Sequence, residues 1–89
     1  MIVTYDTAFY SDLEKITDIS VVHRAENAIE KLKAANSLRQ ISNIKSMQGS
    51  PGYYRIRFGD FRIGFRMVDE TTVVLLAIDH RSVFYRNYP

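Results

Sequence analysis

Residues 53–67 run Tyr53-Tyr54-Arg55-Ile56-Arg57-Phe58-Gly59-Asp60-Phe61-Arg62-Ile63-Gly64-Phe65-Arg66-Met67, and their pattern decides the fold. Tyr54, Ile56 and Phe58 alternate with Tyr53, Arg55 and Arg57. Beyond Gly59-Asp60, the apolar Phe61, Ile63, Phe65 and Met67 alternate with Arg62, Gly64 and Arg66. A period of two belongs to a strand with one buried face, and Gly-Asp between two such runs predicts a hairpin. A two-residue turn pairs Phe58 with Phe61, Arg57 with Arg62, Arg55 with Gly64, and Tyr53 with Arg66. Four arginines then share one face. Arg57 and Arg62 become direct neighbours, with Cβ atoms about 4.5–5.5 Å apart, an arrangement that is unfavourable unless an anion lies between them.

On the amino-terminal side, Ile2 to Tyr5 are β-branched or aromatic and predict a strand over residues 2–6. Ser11 and Glu14 form a possible capping box, and Phe9, Leu13 and Ile16 fall at helical spacing, which predicts a short helix over 8–16. Asp18 is the candidate N-cap of a longer helix. Its stripe Val22, Ala25, Ile29 and Leu32 faces a sheet, and Asn36-Ser37 ends it. Leu38, Ile41 and Ile44 fit either a further turn or an extended lead-in. On the carboxyl-terminal side, Thr72 to Ile78 are apolar without alternation, as in a central strand covered on both faces. Val83, Phe84 and Tyr85 suggest a short final strand or turn. The fold class is therefore α+β: an amino-terminal strand, a helix pair, and an antiparallel meander with helices packed on one face.

At 89 residues, 46% of them hydrophobic and 25% charged, the chain reads as one domain over residues 1–89. It has no Cys, which excludes disulfide scaffolds and thiol catalysis and suits a reducing cytoplasm. No apolar run is long enough for a membrane span, so no membrane partner is expected. Residues 1–44 hold five Lys/Arg against six Asp/Glu, and residues 45–89 hold seven against four. Six of those seven are Arg, whose planar fork of donors matches phosphate.

The hairpin arginines therefore read either as a phosphate-binding floor or as a solvated outer face that keeps the sheet soluble. No carboxylate is interleaved with them in the hairpin, and Gly64 opposite Arg55 removes a side chain, which would let a ligand approach the backbone. Asp79-His80-Arg81 ends the buried strand, and Tyr85, Arg86 and Tyr88 follow. Arg with Tyr beside a basic floor suits RNA, because Arg neutralises phosphate and Tyr stacks on an unpaired base. Metal-ligand spacings and phosphate-binding glycine loops are missing, so neither metal nor cofactor is expected.

The segment Tyr54 to Gly64, followed one strand later by His80-Arg81-Ser82-Val83-Phe84-Tyr85-Arg86, resembles the signature of RelE/ParE toxins of type II toxin-antitoxin systems. The resemblance implies a ribosome-dependent, metal-independent mRNA endoribonuclease, in which a 2′-hydroxyl attacks the adjacent phosphate to leave a cyclic phosphate. It implies Arg62, Arg81 and Arg57 as catalytic cations, Tyr85 as base or stacking residue, and His80 as a competing base or acid. Arg55 matches the family's basic strand, and with Lys45, Arg66, Tyr53 and Tyr88 it is a candidate RNA-binding residue, Tyr88 also being an alternative to Tyr85. The implied partners are mRNA on the ribosome and a cognate antitoxin of RelB-like or similar type, in a toxin-antitoxin hetero-oligomer. The alternative within the same family is a ParE-like toxin that binds and inhibits DNA gyrase without cutting RNA.

Overall fold

Asp6 opens the first helix: its Oδ1 accepts the Ala8 N–H at 2.9 Å, and its carbonyl closes the first turn onto Phe9. The computed structural model describes all of residues 1–89. Strand β1 (Ile2–Tyr5) leads through that cap into helix α1 (Thr7–Glu14). Ser11, expected to cap this helix, lies inside it, because the Asx cap at Asp6 acts five residues earlier. Helix α2 (Ile19–Ala34) begins as expected at Asp18, whose carboxylate accepts the Ser20 N–H at 2.9 Å. Its inner stripe buries Ala25, Ile29 and Leu32.

A single 3-10 turn at Leu38–Gln40 is followed by the short strand β2 (Ile44–Ser46), so both readings of that stretch hold in succession. Strands β3 (Tyr53–Phe58) and β4 (Phe61–Met67) pair in the expected register, with Arg57 opposite Arg62 and Arg55 opposite Gly64. Strand β5 (Thr72–His80) completes the meander, and the sheet order is β1-β5-β4-β3-β2. β1 adds to β5 in parallel, Val3 opposite Val73, which makes β5 an interior strand. The parallel pairing was not among the expectations, because it joins segments far apart in sequence.

The core lies between the helices and one sheet face. Phe9, Ala25, Ile29 and Leu32 meet Ile56, Ile63, Phe65, Val73, Leu75 and Ile78 there. These are the alternate positions of the strands, so the arginines fall on the opposite face. Part of that face is covered too. The carboxyl-terminal segment, expected as a strand or turn, is helix α3 (Arg81–Asn87), capped by the His80 ring. Its Phe84, and Tyr88 just beyond it, are buried with rings 4.9 Å apart. A side chain four residues on lies one turn along the same helix face, so the two rings dock together.

Tyr88 settles over Gly64. A Cβ on Gly64 would come within 2.5 Å of the Tyr88 ring, so the glycine makes room for this aromatic and not for a ligand. The Tyr88 hydroxyl reaches two backbone carbonyls, Tyr54 O at 2.7 Å and Phe65 O at 2.8 Å. Phe65 lies at the irregularity where the β4–β5 register shifts. At the other end of α3 the Arg81 N–H donates to Asp60 O at 2.7 Å, so the helix is tied to the sheet at both ends.

Two outcomes follow from this packing. Gly64→Ala should cost about 1–3 kcal/mol through overpacking against Tyr88, read as a lower urea midpoint, and Gly64→Ala combined with Tyr88→Ala should lose that clash. Burial holds the Tyr88 phenol well above its usual range, so the fold favours the neutral form. The associated stability is fully present below pH about 10 and falls as the pH rises beyond it, because only the unfolded chain then ionises readily. Tyr88→Phe should be less stable by about 1 kcal/mol at neutral pH. Its urea midpoint should fall less than that of the unaltered protein between pH 9 and 11; parallel curves would refute the assignment.

Candidate functional site

Gly59, at φ +56°, lets the chain reverse between β3 and β4, and the arginines beside this turn are oriented by backbone oxygens. Arg62 Nη1 donates to Gly59 O and Phe61 O, both at 3.0 Å. Arg55 Nη1 donates to Asn43 O at 2.9 Å, and Arg57 Nη2 stands 3.5 Å from Asn43 Oδ1. Asn43 has φ +62°, a left-handed conformation that Asn adopts more readily than most residues. From there it serves two arginines at once. The Nε–H groups of Arg55 and Arg62 are buried without a partner.

No carboxylate forms an ion pair with Arg55, Arg57, Arg62 or Arg66; the ion pairs present are Lys33–Glu30 at 3.4 Å and Arg81–Asp60 at 3.7 Å. Asp79 stands opposite Arg62 across β4 and β5, yet its Oδ1 accepts the His80 N–H at 2.8 Å. The Arg81–Asp60 pair is well exposed, and such pairs contribute little. At the hairpin end Arg55, Arg57 and Arg62 are thus without an ion-paired carboxylate, while Arg81 is paired with Asp60.

That end opens into a cleft of about 930 Å³, between α2, the connection through residues 40–43, and the hairpin. Arg57, Arg62 and Arg81 line it, joined by Arg24 and Lys31 of α2, and no Asp or Glu does. Its volume and cationic lining suit an anion larger than a single phosphate. Arg81 and Tyr85 lie four residues apart on α3 and so share a face, with Tyr85 about half exposed. A helix, where a strand or turn was expected, puts the two residues on one face, with Arg81 in the lining of the cleft and Tyr85 outside it.

Other expected residues lie elsewhere. His80 packs edge-on against Phe61, with centroids 5.5 Å apart, and lines a separate cleft of about 250 Å³ with Asp12, Lys15 and Asp18. Its Nδ1 accepts the Ser82 N–H at 3.1 Å, so the imidazole acts as the cap of α3 and does not line the arginine cleft. Tyr88 is buried with its hydroxyl committed to the sheet, which removes it from RNA contact. Tyr53 and Arg66, paired at the opposite end of the hairpin, line neither cleft. Lys45 is exposed on β2, opposite Arg55. Arg24, Lys31 and Asn43 were not identified from sequence. For the first two the available signal was their seven-residue spacing along the polar side of α2.

The structure is thus a small α+β domain with a cationic cleft at one hairpin end, and the proteins it is similar to are toxins. The family model described as the ParE toxin of type II toxin-antitoxin system, parDE, matches residues 3–84. Toxin RelE3 of Methanocaldococcus jannaschii is 32% identical over 90 residues, covering all of both chains. Among solved structures, the RelB-RelE antitoxin-toxin complex from Methanococcus jannaschii contains a chain 30% identical to this one. That match has a TM-score of 0.78 and covers 97% of this chain and 99% of the other. The toxin-antitoxin complex RelBE2 of Mycobacterium tuberculosis gives a TM-score of 0.69 at 29% identity, covering 90% and 96%. The isolated E. coli RelE toxin, at 13% identity and TM-score 0.64, shares the fold. The chain belongs to the RelE/ParE family of type II toxin-antitoxin toxins.

Proposed function

We propose that this toxin is a metal-independent endoribonuclease that cuts mRNA on the ribosome and is held inactive by an antitoxin. The observation that carries the reading is the convergence of Arg57, Arg62 and Arg81 on one cleft with no acid in its lining. Its similarity to toxin RelE3, and to chains solved within RelB-RelE complexes, supports both the activity and an antitoxin partner. Attack of a ribose 2′-oxygen on the neighbouring phosphorus forms the 2′-O–P bond and breaks the P–O5′ bond. The 2′ proton passes to a base, the leaving 5′ oxygen takes up a proton, and the phosphorane between them carries extra negative charge.

Guanidinium groups suit that charge because Arg stays protonated throughout, and for the same reason they serve poorly in proton transfer. Arg62 and Arg81 are therefore assigned to stabilising the transition state, with Arg57 beside them. Tyr85, half exposed on the Arg81 face of α3, is assigned as base or as a stacking platform for the unpaired base. Lys45 and Arg55 on the adjoining strands extend the positive surface along which the RNA would run. His80, turned toward the smaller cleft, is given the capping role instead.

Purified protein incubated with a defined mRNA, with and without programmed ribosomes, should produce ribosome-dependent ends bearing a cyclic phosphate. Arg62→Ala and Arg81→Ala should each slow cutting by about 10²–10³-fold, the usual loss when one transition-state donor is removed. Both should keep the urea midpoint of the parent protein. Growth arrest by a protein that cuts no RNA in either condition would overturn the reading and is what a gyrase-binding toxin would give.

A further inference from the structure

The cleft has a second wall that the proposed chemistry does not use. Arg24 and Lys31 are seven residues apart on α2, two turns along one helix face, so about 10.5 Å of rise separates their backbones. Both line the cleft opposite the hairpin. Neither has a carboxylate partner, although Lys33, on the same helix, pairs with Glu30.

The Arg24 guanidinium lies against the hairpin turn itself. A Cβ on Gly59 would fall 2.7 Å from Arg24 Nη1 and 2.8 Å from Nη2. Arg62 holds the carbonyl of that same Gly59. Two cations from different elements thus converge on one glycine, neither of them ion-paired with a carboxylate, and such repulsion is relieved when an anion enters. We propose that Arg24 and Lys31 form a second phosphate subsite, which holds the RNA backbone flanking the phosphate that reacts at Arg62 and Arg81.

This assignment rests on the endoribonuclease reading and adds to it the path of the strand. A single-stranded polyanion fits because the cations span two helical turns and run on without interruption into those of the hairpin. Asn27 and Ser42, in the same lining, offer hydrogen bonds to ribose or base. An acidic protein segment would also find the apolar Ile41 and Phe58 in this lining, and the test separates that occupant from RNA.

The test uses a single-stranded RNA blocked by 2′-deoxy substitution at the scissile ribose, with Kd measured from low to moderate salt. For single strands each phosphate-bound cation contributes about 0.7 to the slope of log K against log salt. Arg24→Ala with Lys31→Ala should lower that slope by about 1.4 and weaken binding by roughly tenfold or more at low salt. Arg24→Lys with Lys31→Arg should keep the parent slope. An unchanged slope in the alanine variant, with the parent binding RNA, would overturn the subsite and leave the nuclease reading standing. A parent protein that neither binds nor cuts RNA would sink both. An alanine variant that keeps its RNA affinity but no longer forms the complex with its antitoxin would overturn the subsite in favour of an acidic protein segment.

Discussion

Everything at the functional end depends on the reversal at Gly59-Asp60. With two residues in the turn, Ile56 meets Ile63 on the core face and Arg57 meets Arg62 on the other. A slip of one residue would exchange the faces and drive guanidinium groups into the core, so burial enforces the register. Gly59 also meets the left-handed φ of the turn and leaves room for Arg24. The same position thus fixes strand pairing, orients Arg62 through its carbonyl, and admits a cation from α2.

Local pattern made much of the fold legible. The alternation in residues 53–67 gave the hairpin register residue by residue, the Val22 to Leu32 stripe gave α2, and Asp18 marked its start. The unbroken apolar run at 72–78 indicated β5 as a strand covered on both faces, and α1 and α3 both pack against it. What escaped was non-local or ambiguous. Parallel pairing of β1 with β5 has no short-range signal. Val83, Phe84 and Tyr85 have strand-like side chains, but the four-residue spacings Arg81/Tyr85 and Phe84/Tyr88 are those of a helix, with His80 in the cap.

The site was legible in its charges and less so in its proton carriers. Arg57, Arg62 and Arg81 were singled out as residues, and the structure gathers them in one cleft. His80 and Tyr88 have the chemical type such a site needs, but packing gives them structural work because each sits where α3 must be fastened. The cleft's other wall is hard to read in the sequence because the buried stripe of α2 dominates its pattern. Asn43 gave no signal in advance: its importance lies in a positive φ and in two oxygens that only the folded chain brings to the arginines.

The way the arginines are held explains how a cationic cleft can be both ordered and unneutralised. A guanidinium can be fixed by a carboxylate, which cancels its charge, or by carbonyl oxygens, which direct its donors and leave the full charge in place. Arg62 uses Gly59 O and Phe61 O, and Arg55 uses Asn43 O. The cost is repulsion among neighbouring cations and buried Nε–H groups without acceptors, each of the latter worth about 1–3 kcal/mol. In a domain this small such costs are a large part of the margin. The fold sustains them by fastening α3 through backbone and hydroxyl hydrogen bonds, Arg81 N–H to Asp60 O at the cleft edge and the Tyr88 hydroxyl across Gly64, so that much of the rigidity comes from neutral contacts.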